Sequence, residues 1–215
     1  MNDKKKLLLG IILFGSLWGG LEAFGIRLMD SLSFSPKSPI LAATGILILG
    51  MARVIFPRMG STFLIGLVAA GFKFLTLPQI LMCQVEAVIL QGLVLEIAFS
   101  YAQKRNFSKW FSLGFVGIFT MYLNYIVFAL LQTYIVLNPY WAEPGFPKVL
   151  SYTFMEGTYA ALLCFFFINL GYALGKSLTP TPVFSQWQAL KAKTYGIATL
   201  VVSLGFWVSG FMLYR

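Results

Sequence analysis

Between Leu13 and Arg27 the chain reads LFGSLWGGLEAFGIR. The run is apolar and rich in glycine, yet it holds one carboxylate, Glu22. It lies inside a longer apolar stretch, Leu7–Met29, that follows Lys4, Lys5 and Lys6. A helix needs about 20 mostly apolar residues to cross a bilayer, and this stretch meets that length. A basic start followed by an apolar run also imitates a secretory signal. The apolar core of such a signal is only about 7–15 residues long, however, so the stretch reads as an uncleaved first membrane helix.

The rest of the chain agrees. Of its 215 residues, 59% are hydrophobic and 11% charged, and the mean hydropathy is +0.81. A soluble domain carries about a quarter charged residues. The expected fold is therefore all-α: a polytopic transmembrane helical bundle, with residues 1–215 forming one integral membrane domain. A β-barrel is disfavoured because the apolar runs are continuous rather than alternating.

The candidate spans are Leu7–Met29, Ile40–Phe56, Thr62–Leu77, Gln79–Ala102, Trp110–Leu137, Val149–Gly175 and Thr194–Tyr214. The second and third are short. DSLSFSPKSP, PRMGS, TLPQ, QKRNFSK and NPYWAEPGFPK connect them, and KSLTPTPVFSQWQALKAK has room for a short interfacial helix.

The net charge is +9, but the basic residues sit between apolar runs rather than in a patch, so nucleic-acid binding is not indicated. They read as topology signals instead. With the N-terminus in the cytoplasm, the inner segments hold Lys4, Lys5, Lys6, Arg53, Arg58, Lys104, Arg105, Lys109, Lys176, Lys191 and Lys193. The outer ends hold only Arg27, Lys37, Lys73, Lys148 and Arg215. Cytoplasmic loops carry the excess of Lys and Arg, so the N-terminus is expected inside and, after seven spans, the C-terminus outside.

The chain has seven acidic residues, and Glu22, Glu86, Glu96 and Glu156 fall inside apolar spans. Each costs roughly 2.5–3.5 kcal/mol at the centre of a membrane helix, so each needs a reason. Glu22, Glu86 and Glu156 each lie about seven residues, or roughly 10 Å, from the outer end of their span. Arg27 and Lys73 lie slightly above them, and Gln84, Gln132, Tyr152 and Tyr159 fall in the same outer third. Glu96 is deeper, toward the cytoplasm. These residues suggest a substrate pocket open to the outside, with aromatics such as Trp18, Tyr152 and Tyr159 facing a cationic or flat ligand. Purely structural ion pairs between helices are the alternative.

Histidine is absent, which removes His-based general bases and His-ligated metal sites. Cys83 and Cys164 show no metal-ligand spacing and read as small buried apolar residues. With no metal site and no catalytic constellation legible, the chain is not expected to be an enzyme. No GxxxxGK[ST] run is present, so a transporter of this sequence would draw its energy from other subunits.

Gly15, Gly19 and Ala23 form a small-residue stripe spaced by four, which permits close approach of another helix. The run PRMGSTFLIGLVAAGFKFL, Pro57–Leu75, leads through a turn into a short glycine-rich helix suited to a crowded bundle centre. On these two features, the chain length and the N-in arrangement of the first six spans, the sequence resembles the S component of energy-coupling-factor (ECF) vitamin transporters over about residues 7–175. A seventh span departs from that pattern.

The resemblance implies a substrate-binding subunit in the cell membrane, of the prokaryotic inner-membrane type. It would take up a vitamin-like or cationic nutrient beneath the DSLSFSPKSP and NPYWAEPGFPK loops. Gly15, Gly19 and Ala23 would dock on a transmembrane coupling subunit. Two ATPase subunits would bind the ATP, with no cofactor in this chain. A stand-alone solute carrier, a membrane scaffold and, less strongly, an intramembrane enzyme remain as rival readings.

Overall fold

The structure is a computed structural model that describes residues 3–33, 35–76, 82–105, 109–179 and 192–213. Every regular element among them is an α-helix: α1 (Asp3–Ser31), α2 (Lys37–Ile55), α3 (Ser61–Thr76), α4 (Met82–Lys104), α5 (Trp110–Tyr134), α6 (Pro139–Ala142), α7 (Phe146–Phe154), α8 (Glu156–Leu178) and α9 (Ala192–Leu213). The first five helices match the first five expected spans within a few residues. Leu77, Pro78 and Gln79 of the TLPQ turn, the first residues of the expected fourth span and most of the expected interfacial helix lie outside the described residues.

Four of these helices, α1, α2, α4 and α5, and the α7–α8 unit are each long and apolar enough to cross a membrane. The third helix and the apolar part of the last, Gly196–Met212, are shorter. The chain is thus a polytopic helical membrane protein.

The expected sixth span, Val149–Gly175, begins earlier and is broken. Gly145, at φ +61°, opens α7, with a proline in its first turn. That conformation suits glycine, and proline is tolerated where helix N–H groups have no partner anyway. The helix is interrupted at Met155, between α7 and α8.

Glycine contacts fix the directions of the helices. Gly10 meets Phe56 and Gly25 meets Leu41, so α1 and α2 are antiparallel. Gly15 meets Val68 and Gly19 meets Phe72, so α3 runs with α1. Gly66 and Gly92 cross closely, and Thr62 lies by Glu96, so α4 is antiparallel to α3. Gly171 meets Leu47 and Gly175 meets Met51, so α8 runs with α2. Leu9 lies by Gly196 and Ser16 accepts a 3.1 Å hydrogen bond from the Trp207 indole, so α9 runs with α1. This is the alternation that successive membrane passes require, and α9 has the direction expected of a seventh.

The α2–α8 seam is the most extensive packing surface in the bundle. A Cβ on Gly171 would overlap the Leu47 carbonyl oxygen, and one on Gly175 would stand 2.8 Å from the Met51 carbonyl oxygen. Backbone cannot step aside as a side chain can. Gly171→Ala is therefore expected to destabilise by about 1–3 kcal/mol despite alanine's better helix propensity. Gly71 has nothing within 4 Å of its Cβ position. Gly71→Ala is expected to be neutral or to stabilise by up to about 1 kcal/mol. Thermal unfolding of both variants in detergent checks the contrast, and equal behaviour would refute the tight seam.

Candidate substrate cavity

A cavity of about 650 Å³ opens at one end of the bundle. On the positive-inside orientation this is the outer end. Side chains from α1 to α7 line it, so it is a property of the tertiary fold rather than of one segment.

Glu22 and Lys73 stand at its wall and are 3% and 4% exposed. The Lys73 ammonium donates to Glu22 Oε2 at 2.8 Å, and the Trp18 indole donates weakly to Oε1 at 3.4 Å. The pair joins α1 to α3. Nearer the mouth, Lys37 donates to Asp30, closing the connection between α1 and α2.

The opposite wall is aromatic. Tyr125 and Tyr152 stack with centroids 4.9 Å apart. Trp141 stands edge-on to Tyr152 at 4.8 Å and to Phe128 at 5.6 Å. Ser38 anchors the tyrosines: its hydroxyl lies 2.8 Å from the Tyr125 hydroxyl and 3.3 Å from that of Tyr152. Trp141 reaches this wall because α6 folds back over the end of α5. Asn138 caps α6, its side chain accepting from the Tyr140 N–H at 3.1 Å, and Pro139 occupies the first turn. The DSLSFSPKSP connection contributes Asp30, Lys37 and Ser38, and the NPYWAEPGFPK connection contributes Asn138, Tyr140 and Trp141. Both loops therefore border the cavity.

Of the residues singled out from the sequence, Glu22, Lys73, Gln84 and Tyr152 line the cavity. Glu86 and Gln132 do not. They bond to each other beside it, the Gln132 amide donating to Glu86, and Asn138 extends the chain to Gln132 at 3.4 Å. Their common depth is real, but their bond is spent between α4 and α5. Arg27 is exposed and off the cavity. Five residues separate it from Glu22, which at 3.6 residues per turn points it about 140° away. Glu156 is half-buried and Tyr159 is 60% exposed, and neither lines the cavity. Trp18 is fully buried and serves Glu22 rather than offering a ring to a ligand. Cys83 is at the cavity wall, whereas Cys164 is a buried core residue.

The expected docking stripe is used inside the chain. A Cβ on Gly15 would lie 2.5 Å from Val68 Cβ, and one on Gly19 would lie 2.6 Å from Phe72 Cβ; Ala23 is wholly buried. The small residues let α3 approach α1, which brings Lys73 to Glu22. The stripe itself is not a free surface.

The charges at the wall balance one another. Among the described lining residues the carboxylates are Glu22 and Asp30, and each is paired with a lysine. The wall is polar and internally neutral rather than anionic.

Several lining residues carried no sequence signal strong enough to select them. Asn124 is 6% exposed, and its side-chain oxygen has no hydrogen-bond partner. Gln91 donates to the Ala42 carbonyl at 2.8 Å and ties α4 to α2 beneath the cavity. Isolated Asn and Gln in apolar helices are a cue for such sites, but neither carries a motif. Among the described residues no three Cys, Asp or Glu side chains gather to hold a metal ion.

The fourth intramembrane carboxylate, Glu96, lies at the other end of the bundle. Arg53 Nη1 donates to its two oxygens at 3.0 and 3.3 Å, and to the Arg58 carbonyl at 2.7 Å. Arg53 Nη2 donates to Ser100 at 3.1 Å and Gln103 at 2.9 Å. Glu96 also accepts from the Thr62 N–H and hydroxyl and from Ser100. This is a dense lock of α2, α3 and α4, and neither Arg53 nor Glu96 is among the residues that line the cavity at the outer end.

Comparison with protein-family models, curated proteins and solved structures finds no match for this chain.

Proposed function

We propose that this membrane protein is the substrate-binding subunit of a nutrient uptake transporter, energised by partner ATPases, as the resemblance to ECF S components implies. The observation that carries the reading is the cavity. A space of about 650 Å³ at one end of a membrane bundle, with an aromatic wall facing a buried Glu22–Lys73 pair, suits a small solute. Pockets of about 300–1,000 Å³ with a few placed polar groups are the usual form of small-molecule sites. The outward opening supports uptake from outside a cell membrane, and the sequence carries no nucleotide-binding loop of its own.

A stand-alone carrier is the second reading. One observation favours it: Gly15 and Gly19 are filled by α3, so a coupling subunit would have to dock elsewhere.

The test is extraction of the tagged protein from its native membrane in mild detergent, with identification of the proteins and small molecules retained. A retained solute together with an ATPase and a membrane coupling subunit is the expected result. Ala87 lines the cavity, and Ala87→Trp fills it; this variant is expected to bind the solute at least about tenfold more weakly, a loss of about 1.4 kcal/mol or more. A solute without an ATPase selects the stand-alone carrier. Full retention by Ala87→Trp, or no solute at all, overturns the cavity reading.

A further inference from the structure

We propose that the groove between α4 and α5 binds an anionic phospholipid of the cytoplasmic leaflet. One acyl chain lies in the groove, and the phosphate sits among Lys104, Arg105 and Lys109. The site is at the other end of the bundle from the substrate cavity and does not depend on what that cavity takes.

Three observations carry it. The first is the shape. The groove has a volume of about 700 Å³ and is walled mainly by apolar side chains, among them Ile97 and Ala98 of α4 and Phe115 and Phe119 of α5. Ile97, Phe115 and Phe119 are each more than half exposed. The α5 wall runs from Ser112 to Leu123, roughly 16 Å at about 1.5 Å per residue. Half of a bilayer's hydrocarbon core is about 15 Å thick. The groove is therefore one leaflet deep, the reach of a single acyl chain.

The second is the charge at its cytoplasmic end. Ile97, Tyr101 and Lys104 recur at i, i+4 and i+7, and Ala98, Tyr101 and Arg105 at i, i+3 and i+7. Those spacings keep residues on one helix face, so the stripes that wall the groove continue into the two cations. The Arg105 guanidinium lies 5.8 Å from the centre of the Tyr101 ring, and Tyr101 lines the groove. Lys109 is the N-cap of α5, three residues before Ser112. The positive end of the α5 dipole is thus at the same level, where it favours a phosphate. The positive-inside rule accounts for cations at this end. It does not require them to extend the faces that wall a groove.

The third is that the site has no anion of its own. Among the described residues no Asp or Glu lines the groove, and Lys104, Arg105 and Lys109 are exposed and outside every ion pair. Glu96, in the same half of α4, is held by Arg53. Anionic lipids of the cytoplasmic leaflet attract basic residues placed beside a span, and a guanidinium bonds phosphate in a bidentate manner. A second copy of the chain, seated here about a two-fold axis, would instead bring the same cations together.

The experiment titrates the purified full-length protein in detergent with dioleoylphosphatidylglycerol and dioleoylphosphatidylcholine, and native mass spectrometry counts the bound lipid. The two lipids share their chains and differ in net charge. The glycerol lipid is expected to bind about tenfold more tightly, a modest gain for three cations because they are exposed and screened. The combined Lys104→Gln, Arg105→Gln and Lys109→Gln variant should bind the two lipids equally. Ala98→Trp fills the groove and keeps the charges; it should weaken the glycerol lipid at least about fivefold.

Equal binding of the two lipids by the native protein overturns the proposal. A preference that survives the triple charge variant places the lipid elsewhere and overturns it too. Neither result needs Ala98→Trp to fold, and the three charge positions are exposed. Unchanged binding by a folded Ala98→Trp overturns the groove as the seat of the chain. A native dimer that Ala98→Trp turns into a monomer shows a second copy in the groove and overturns the lipid as its occupant.

Discussion

Arg53→Met is expected to lower the unfolding free energy by about 3–5 kcal/mol, the cost of leaving one partner of a buried ion pair behind. The arginine is 2% exposed and ties α2 to α4 through Glu96, Ser100 and Gln103, and to the α2–α3 connection through the Arg58 carbonyl. Its loss strands a carboxylate and strips donors from three acceptors at once. Arg53→Lys should recover only part of the loss, because an ammonium cannot span Glu96 and Gln103 as the planar guanidinium does. Glu96→Gln alone should cost less than Arg53→Met, since an amide oxygen in the Oε2 position can still accept from the Thr62 N–H and hydroxyl. Thermal or denaturant unfolding in detergent measures all three. A loss below about 1 kcal/mol for Arg53→Met would mean that the cluster behaves like an exposed surface pair.

Lys73→Met is expected to cost a similar amount, about 3–5 kcal/mol, because Glu22 then keeps only a long contact to Trp18. Here the double variant is informative. Glu22→Gln combined with Lys73→Met removes both charges, and replacing both members of a buried pair is often close to neutral. The double variant should therefore be more stable than Lys73→Met alone. A double-mutant cycle with a coupling below about 0.5 kcal/mol would show that the two residues act independently. The same double variant separates stability from binding. Both residues line the cavity, so solute retention should fall even where the fold is restored. Arg53→Met, at the other bundle end, should spare binding in the fraction that stays folded.

The two clusters differ in how legible they were. The Glu22 site was partly readable, because depth along a helix follows from counting residues, and the count puts Lys73 slightly above Glu22. Arg53 was read only as a topology signal at the end of an apolar run. Nothing along the chain announces that it turns back into the bundle to meet Glu96, which lies 43 positions away. The aromatic wall shows the same limit. Tyr152 was selected for its depth, but Tyr125, Phe128 and Trp141 look like ordinary apolar residues until three helices bring them together. Asn124 lies in mid-helix with no motif around it.

The errors have one physical origin. A common depth says nothing about azimuth, and each residue turns the helix by about 100°. Residue counting puts Arg27, Glu156 and Tyr159 in the outer part of their spans, yet none of them lines the cavity. The small-residue stripe made the matching error: its spacing correctly required a close helix neighbour, but could not say that the neighbour is α3 rather than another protein.

What this sequence determined by itself is the class and the string of elements. Apolar length, charge-poor runs, breakers and the distribution of lysine and arginine are properties of position along the chain, and a bilayer acts on them one span at a time. What only the tertiary structure decided is which side chains meet. Helix rotation and pairing depend on the packing of all neighbours together, as where Gly66 and Gly92 let α3 and α4 cross or Gly171 admits the α2 backbone. That packing turned Glu22 from an isolated intramembrane carboxylate into one half of an ion pair at a cavity wall.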